Sequence, residues 1–228
     1  MNFDDALKYY EGPVYPVKLP ILGITGKKGH GKDAVAGILQ NQHGWARCAF
    51  ADELKKIAQH LWELDDLQVH GSIRDKETVD PRWGKSPRQL LQTLGTEAGR
   101  GSHPETWIRV LLRRLVETEE ALVEMGATPR VGWAVCDVRF PNEASAIRRH
   151  GGIVWRVNRE SFGTGDFESH SSETSIDLIT PDRVIKNDGT LEDLGAEVGR
   201  AYDELLLGRA RSLGLQAQGS RLCSGKMR

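Results

Sequence analysis

The stretch Gly26-Lys27-Lys28-Gly29-His30-Gly31-Lys32-Asp33 constrains the fold of this chain more than any other. It matches G-x-x-x-x-G-K and stands between two patterned runs. Val17 to Thr25 (VKLPILGIT) is apolar and reads as a buried strand, with Pro20 tolerated near its start. Asp33 to Gln40 places Val35, Ile38 and Leu39 on one helical face. Gly26 and Gly31 allow backbone angles and a close approach that side chains would block. Successive N–H groups of such a turn point at an anion, and the helix N-terminus adds about half a positive charge. Lys32 then reaches the β- and γ-phosphates of a nucleotide. The loop backbone through Gly26, Gly29, His30, Gly31, Lys32, Asp33 and Ala34 is the expected cofactor cradle, with the side chains of Lys27, Lys28 and His30 read as solvated. The alternative is a glycine turn that only caps a helix. Strand, spacing and lysine together favour the cradle.

A hydroxyl commonly stands where Asp33 is and ligates Mg²⁺. A carboxylate can do the same directly or through water, its charge offset by the metal and Lys32. A second acid has a matching placement. Val131 to Cys136 (VGWAVC) is a buried strand that ends in Asp137-Val138-Arg139-Phe140-Pro141-Asn142-Glu143. Ligands bind at the C-terminal ends of parallel strands, so Asp137 suits Mg²⁺ binding, directly or through water. Arg139 can hold a phosphoryl oxygen bidentately. Alternatively, Asp137 caps the helix that starts near Asn142 and pairs with Arg139.

Further strands are expected at Trp45–Phe50, Ile153–Val157 and Arg183–Ile185. Helices are expected at Ala51–Trp62, from Pro87 to a stop near Gly95, from Pro104, over Asn142–Arg149 and over about Leu191–Leu207. Residues 63–86 show little periodicity, and 160–182 are polar. Strands alternating with helices imply a parallel sheet with helices on both faces. The 228 residues suit one domain, 17–208, with an N-terminal extension (1–16) and a tail (209–228). The tail holds Arg209, Arg211, Arg221, Lys226, Arg228 and no acid, a charge of +5, and is expected to be flexible. Over the whole chain 31 basic residues balance 32 acidic ones, which argues against a nucleic-acid coat. No apolar run reaches a membrane span. Cys48, Cys136 and Cys223 are odd in number and lack metal-ligand spacing, so the expected compartment is reducing and cytoplasmic.

GKKGHGKD, FADELKK (50–56), PRQLLQTLGTEAGR (87–100), DVRFPNEA (137–144) and SHSSE (169–173), in this order, resemble the phage-type deoxynucleoside monophosphate kinases over about residues 20–205. The resemblance implies a P-loop kinase fold: a central parallel sheet of about five strands, helices on both faces, a substrate-binding helical region at about 51–130 and a mobile lid at about 160–182. It implies transfer of a phosphoryl group from ATP to a dNMP with Mg²⁺. Phage encoding would place the enzyme in the host cytoplasm. The aspartate after the loop lysine also fits this family.

Carried over, the resemblance puts Asp52 and Lys55 near the acceptor nucleotide. Arg88, Gln92, Thr96 and Arg100 are polar groups around an apolar helix face. Gln92 can read a base edge, and Arg88 or Arg100 can hold the monophosphate. Each also reads as an ordinary polar surface residue. Trp107 is a candidate stacking platform, though its place before Val110 and Leu111 reads as core. Arg159 precedes the lid and is the expected lid cation, with Arg156 next. His170 and Glu173 match the family's His-x-Ser-Glu piece and would orient sugar or base. Asn187 to Gly189 would lie beside adenine, while Thr190 reads as an N-cap.

Two rival readings remain open from the residues alone. One is a kinase of a non-nucleotide phosphate, similar to the phosphomevalonate kinases. The other is a nucleotide-dependent binding protein without kinase activity. Base preference, discrimination against ribonucleotides and oligomeric state, a homodimer included, are not written in the sequence.

Overall fold

A computed structural model describes residues 15–128, 130–160 and 175–212. Residues 1–14 of the expected N-terminal extension and 213–228 of the expected tail lie outside the described residues. β1 (Ile21–Thr25) leads through the glycine loop into α1 (Lys32–His43), and β2 (Ala46–Cys48) follows. Next come α2 (Ala51–Trp62), α3 (Asp66–His70), α4 (Ile73–Glu77) and α5 (Pro87–Gln92). α5 runs directly into a π-helix, Thr93–Arg100. α6 (Thr106–Glu124), β3 (Trp133–Val138), α7 (Pro141–Arg149) and β4 (Ile153–Asn158) follow. A 3-10 turn (Ser175–Leu178), β5 (Arg183–Lys186) and α8 (Leu191–Ser212) complete the described chain.

The five strands form one wholly parallel sheet in the order β2-β3-β1-β4-β5. Ile21 pairs with Trp133, Leu22 with Ile153 and Asn158 with Lys186. All five C-terminal ends therefore share one edge, and the order reverses across β1, where such sheets bind ligands. Alternation along the strands divides the core into two layers. Leu22 and Ile24 face α1 and α8, packing with Val35, Leu39, Leu194 and Val198. Ile21, Val135 and Val154 face α6 and α7, packing with Ile108, Leu111 and Ile147. α7 lies so close to β1 that a Cβ on Gly23 would meet Ile147 Cδ1 at 2.7 Å. A smaller cluster of Ala58, Leu64, Val69 and Leu90 holds the helical region together.

The structure moves several expected boundaries. β1 starts at Ile21 rather than Val17, because the Lys18 and Leu19 N–H groups donate to the Glu119 carboxylate at 2.8 and 3.0 Å instead of to a neighbouring strand. β2 is short because Phe50 already stands at the start of α2. The aperiodic stretch 63–86 contains two short helices, each opened by a capping box, Asp65 with Gln68 and Ser72 with Asp75. Gly95 does not stop its helix. The chain widens there into the π-helix, whose Gly95 carbonyl accepts the Trp107 indole N–H at 2.8 Å. A Cβ on Gly99 would strike that indole at 2.6 Å. Two glycines are thus where α6 leans on backbone. α8 continues to Ser212, four residues past the expected domain end, so residues 209–212 are helical rather than part of a flexible tail.

Glu119, 7% exposed, is the buried pin of this architecture. Besides Lys18 and Leu19 it accepts the Trp133 indole N–H at 2.8 Å, so one carboxylate joins the entry of β1, the start of β3 and α6. Glu119→Ala orphans three donors at once. It should destabilise the protein by about 3 kcal/mol, given the cost of unsatisfied buried groups. Urea unfolding measures this, and a loss below about 1 kcal/mol would show that the pin contributes little.

Candidate active site

The glycine loop lies across the C-terminal ends of β4 and β5. Gly26 (φ 144°) approaches β4 so closely that a Cβ would meet the Val157 carbonyl oxygen at 2.4 Å. Gly31 (φ 96°) is left-handed, and a Cβ there would meet Asn187 Nδ2 at 2.4 Å. Both positions demand glycine on conformation and on space. Asn187 is buried and donates from Nδ2 to the His30 carbonyl at 2.9 Å. His30 Nδ1 accepts the Arg159 backbone N–H at 3.2 Å, so the proton of a neutral ring is on Nε2. His30 therefore joins the loop to β4, a role the sequence reading as a solvated residue missed. Neither a periodicity nor a motif marks it.

No side chain caps α1 at Gly31. The first-turn N–H groups, including those of Asp33 and Ala34, have no acceptor within the helix, the arrangement that can receive an anion. Lys32 Nζ donates to the carbonyls of Gly26 at 2.6 Å and Lys27 at 2.8 Å, so its ammonium is folded back on the loop. Asp33 is exposed and pairs with Arg47 of β2 at 2.7 Å.

Asp137 has a different environment from the one expected. Its two carboxylate oxygens accept the N–H groups of Phe50 at 2.8 Å and Ala51 at 3.0 Å, which caps α2 and not the helix after it. Burial pushes its carboxyl up, while those two bonds and Arg139 pull against the rise. Asp52 turns back onto the Ala49 N–H at 2.8 Å, so it too closes the start of α2. Asp137, Arg47, Asp33 and Asp52 all lie within electrostatic reach of Cys136, whose thiol is pushed up to about 12, chiefly by burial. Among the described residues no group of three or more His, Cys, Asp or Glu side chains could hold a metal. The donor set fits a phosphate-bound Mg²⁺ that takes one carboxylate, Asp33, and fills its shell with phosphate oxygens and water. Each Asp137 oxygen holds one N–H group and keeps a further lone pair.

Burial lowers the pKa of Lys76 first, and the neighbouring Lys55 and Arg88 lower it further, while Asp33 opposes them. Lys55 of α2 and Arg88 of α5 thus lie close enough to influence Lys76 of α4, and Asp33 acts on Lys76 in the opposite sense. Arg88 is additionally held by Glu77 at 3.1 Å. Lys76 escaped the sequence reading because it lies in the aperiodic stretch, and only its capping box has a local signal. Gln92 and Thr96 are exposed on α5 and the π-helix.

Two expected substrate residues are engaged elsewhere. Trp107 is packed in the core at 6% exposure with its N–H on Gly95, which leaves no ring face for a base. Arg100 is not an exposed phosphate ligand. It forms a buried ion pair with Glu143 and stacks over Phe140, 3.8 Å from the ring centroid. His170 and Glu173 lie outside the described residues. Arg156 does not face solvent: it donates to the Ile176 carbonyl at 2.8 Å and to that of Ile179. With Ile176 and Ile179 buried and Arg148 on the Thr180 carbonyl, residues 175–182 are anchored to the core rather than forming a mobile lid. Lys27 reaches the same turn through Asp177 at 3.5 Å. Gly189 precedes the N-cap Thr190, whose hydroxyl accepts the Asp193 N–H at 3.2 Å as its residue type suggests.

The family model described as deoxynucleotide monophosphate kinase matches residues 76–198. A protein of Acanthamoeba polyphaga mimivirus named "Putative deoxynucleotide monophosphate kinase" is 31% identical over 200 residues, covering 80% of this chain and 96% of that protein. Two solved structures are similar at lower identity. A dephospho-CoA kinase from Campylobacter jejuni has a TM-score of 0.40 at 16% identity, covering 81% of this chain and 96% of its own. A sugar kinase from Janibacter sp. HTCC2649 has a TM-score of 0.38 at 15% identity, covering 84% and 97%. Likeness at that level says nothing about substrate.

The geometry gives Asp137 a testable structural duty. Asp137→Ala should destabilise the metal-free, nucleotide-free protein by about 1–2 kcal/mol, as loss of a helix N-cap does. Exchange of the Phe50 and Ala51 amides should accelerate in parallel. Unchanged unfolding together with unchanged exchange would remove Asp137 as the cap of α2.

Proposed function

The chain belongs to the deoxynucleotide monophosphate kinase family, and we propose that it transfers the γ-phosphoryl group of ATP to a deoxynucleoside monophosphate, giving ADP and a dNDP. One observation carries this reading. The helix after the glycine loop begins uncapped with Lys32 folded back on the loop, and the cations Lys55 and Arg88 lie near enough to Lys76 to lower its pKa while Asp33 of the loop opposes them. A kinase whose acceptor is itself a phosphate ester needs two anion sites.

In this reading the first turn of α1 and the loop from Gly26 to Gly31 hold the ATP phosphates. Lys32 exchanges the Gly26 and Lys27 carbonyls for phosphate oxygens. Mg²⁺ bound to ATP would supply further charge neutralisation, with Asp33 as its carboxylate. Lys55, Lys76 and Arg88 hold the acceptor monophosphate. Arg139, at the end of β3, stands over the transferring group, and Arg159, at the end of β4, supplies a second cation. Backbone around Asn187 and Gly189 lies beside adenine. An acceptor oxygen attacks the γ-phosphorus in line as the bond to the β–γ bridging oxygen breaks, and ADP leaves with that electron pair. The acceptor oxygen is already anionic, so the site needs positioned cations rather than a general base. Residues 17–208, with α8 running on to Ser212, form the kinase domain, and residues 161–174 of the expected lid lie outside the described residues.

ADP release measured with each of the four dNMPs tests the reaction. ADP formation with at least one, matched by dNDP, is the expected result. Lys32→Ala should lower kcat by roughly a hundredfold or more in a folded protein, as loss of a charge-stabilising donor does. Lys76→Ala should raise KM for the dNMP by about tenfold, the loss of one charge-assisted contact, and leave KM for ATP nearly unchanged. If no dNMP is phosphorylated while another phosphate ester is, the acceptor is not a nucleotide.

A further inference from the structure

The DVRFPNE segment contains a carboxylate that the phosphate chemistry does not use. Glu143 is 1% exposed, at the third helical position of α7 behind Pro141. Its Oε2 accepts the backbone N–H groups of Arg139 at 2.7 Å and Phe140 at 3.0 Å. Its Oε1 takes the guanidinium of Arg100, which reaches in from the last residue of the π-helix and covers the Phe140 ring. A second strut runs alongside, from Asn142 Nδ2 to the Pro104 carbonyl at 3.0 Å. The loop that carries Arg139 is therefore fastened by its backbone to one buried anion, and that anion is held by a cation from the helical region.

Such an arrangement is costly for stability alone. A buried ion pair recovers little beyond the desolvation of its charges, so apolar residues of similar volume would serve packing as well. Here the carboxylate faces two consecutive amides, and it fixes the backbone from which the Arg139 side chain leaves the sheet edge. We propose that Glu143 and Arg100 are positioning residues for Arg139, which tie the cation at the phosphoryl-transfer point to the helical region. The proposal rests on the kinase reading above for what Arg139 does. It replaces the expectation that Arg100 holds the monophosphate, because that guanidinium is 19% exposed and already stacked and paired.

Removing one charge alone can unfold the protein, since it strands the other. The test therefore uses the neutral pair Arg100→Met with Glu143→Gln, alongside Arg139→Ala and the combined triple variant. Thermal unfolding establishes that each is folded. In the pair variant kcat should fall about tenfold to a hundredfold, the usual penalty for misplacing a catalytic cation by an ångström, while KM for ATP stays within about threefold. Arg139→Ala should lower kcat at least as far, and the triple variant should be no slower than Arg139→Ala, because a positioning residue has nothing left to position. Multiplicative losses in the triple variant, or a folded pair variant with unchanged kcat, overturn the proposal. Amide exchange at Arg139 and Phe140 reads the tether without any assay of turnover. Exchange should be at least about tenfold faster in the pair variant, corresponding to loss of a backbone bond. Unchanged exchange overturns the proposal even if kcat falls. If the wild type phosphorylates no dNMP, the acceptor assignment fails, while the exchange measurement still decides whether Glu143 holds the loop.

Discussion

Gly26 stands a Cβ's width from the Val157 carbonyl and Gly31 the same from Asn187, so between β4, β5 and α1 there is space for backbone and nothing more. This exclusion sets the rest of the sheet edge. Because the loop is pressed against two strand ends, its carbonyls and ring atoms become their hydrogen-bond partners. Asn187 is fixed on His30, and His30 on Arg159. Because no side chain fits at Gly31, α1 begins without a cap, and its amides remain for an anion. Substituting either glycine would displace strands as well as a loop.

Around this edge the acids divide by duty according to burial. Glu119, Asp137 and Glu143 are directed at main-chain N–H groups, and each joins elements distant in sequence. A carboxylate accepts two or more such bonds with its charge intact, which offsets the desolvation that burial imposes. Asp33 is the contrasting case, solvent-exposed and paired with Arg47. An exposed, ion-paired carboxylate can exchange its partner for a cation. One already holding two amides cannot do so without loosening a helix.

What the sequence makes legible are the features whose cause is local. The strand–loop–helix unit, the parallel sheet and the N-cap at Thr190 follow from period, glycine spacing and residue type, and all are present. Asp137 was legible as a strand-end acid but not as the cap of α2, since its partners are 86 and 87 residues away. The same holds for Arg100, whose carboxylate lies 43 residues downstream. The π-helix was unreadable because Gly95 and Gly99 resemble helix stops, and only the Leu54 side chain against Gly95 and the Trp107 indole against Gly99 explain their presence. Lys76 was hidden for a related reason: its companions Lys55 and Arg88 come from two other helices.

The strand order also governs how this molecule can be made. β1, the central strand, lies between β3 and β4, with Ile21 beside Trp133 and Leu22 beside Ile153, and β2 has only β3 as its neighbour. During synthesis the first two strands emerge with no partner to pair with, and the chain must lengthen past residue 138 before the sheet can begin. At ribosomal speeds that interval is on the order of ten seconds. Throughout it, ILGIT and its neighbours are apolar segments with open edges. The helices of 51–124 need no strand partner for their own hydrogen bonds and can form in the meantime, whereas the face of α6 that packs on Ile21, Val135 and Val154 waits for the sheet.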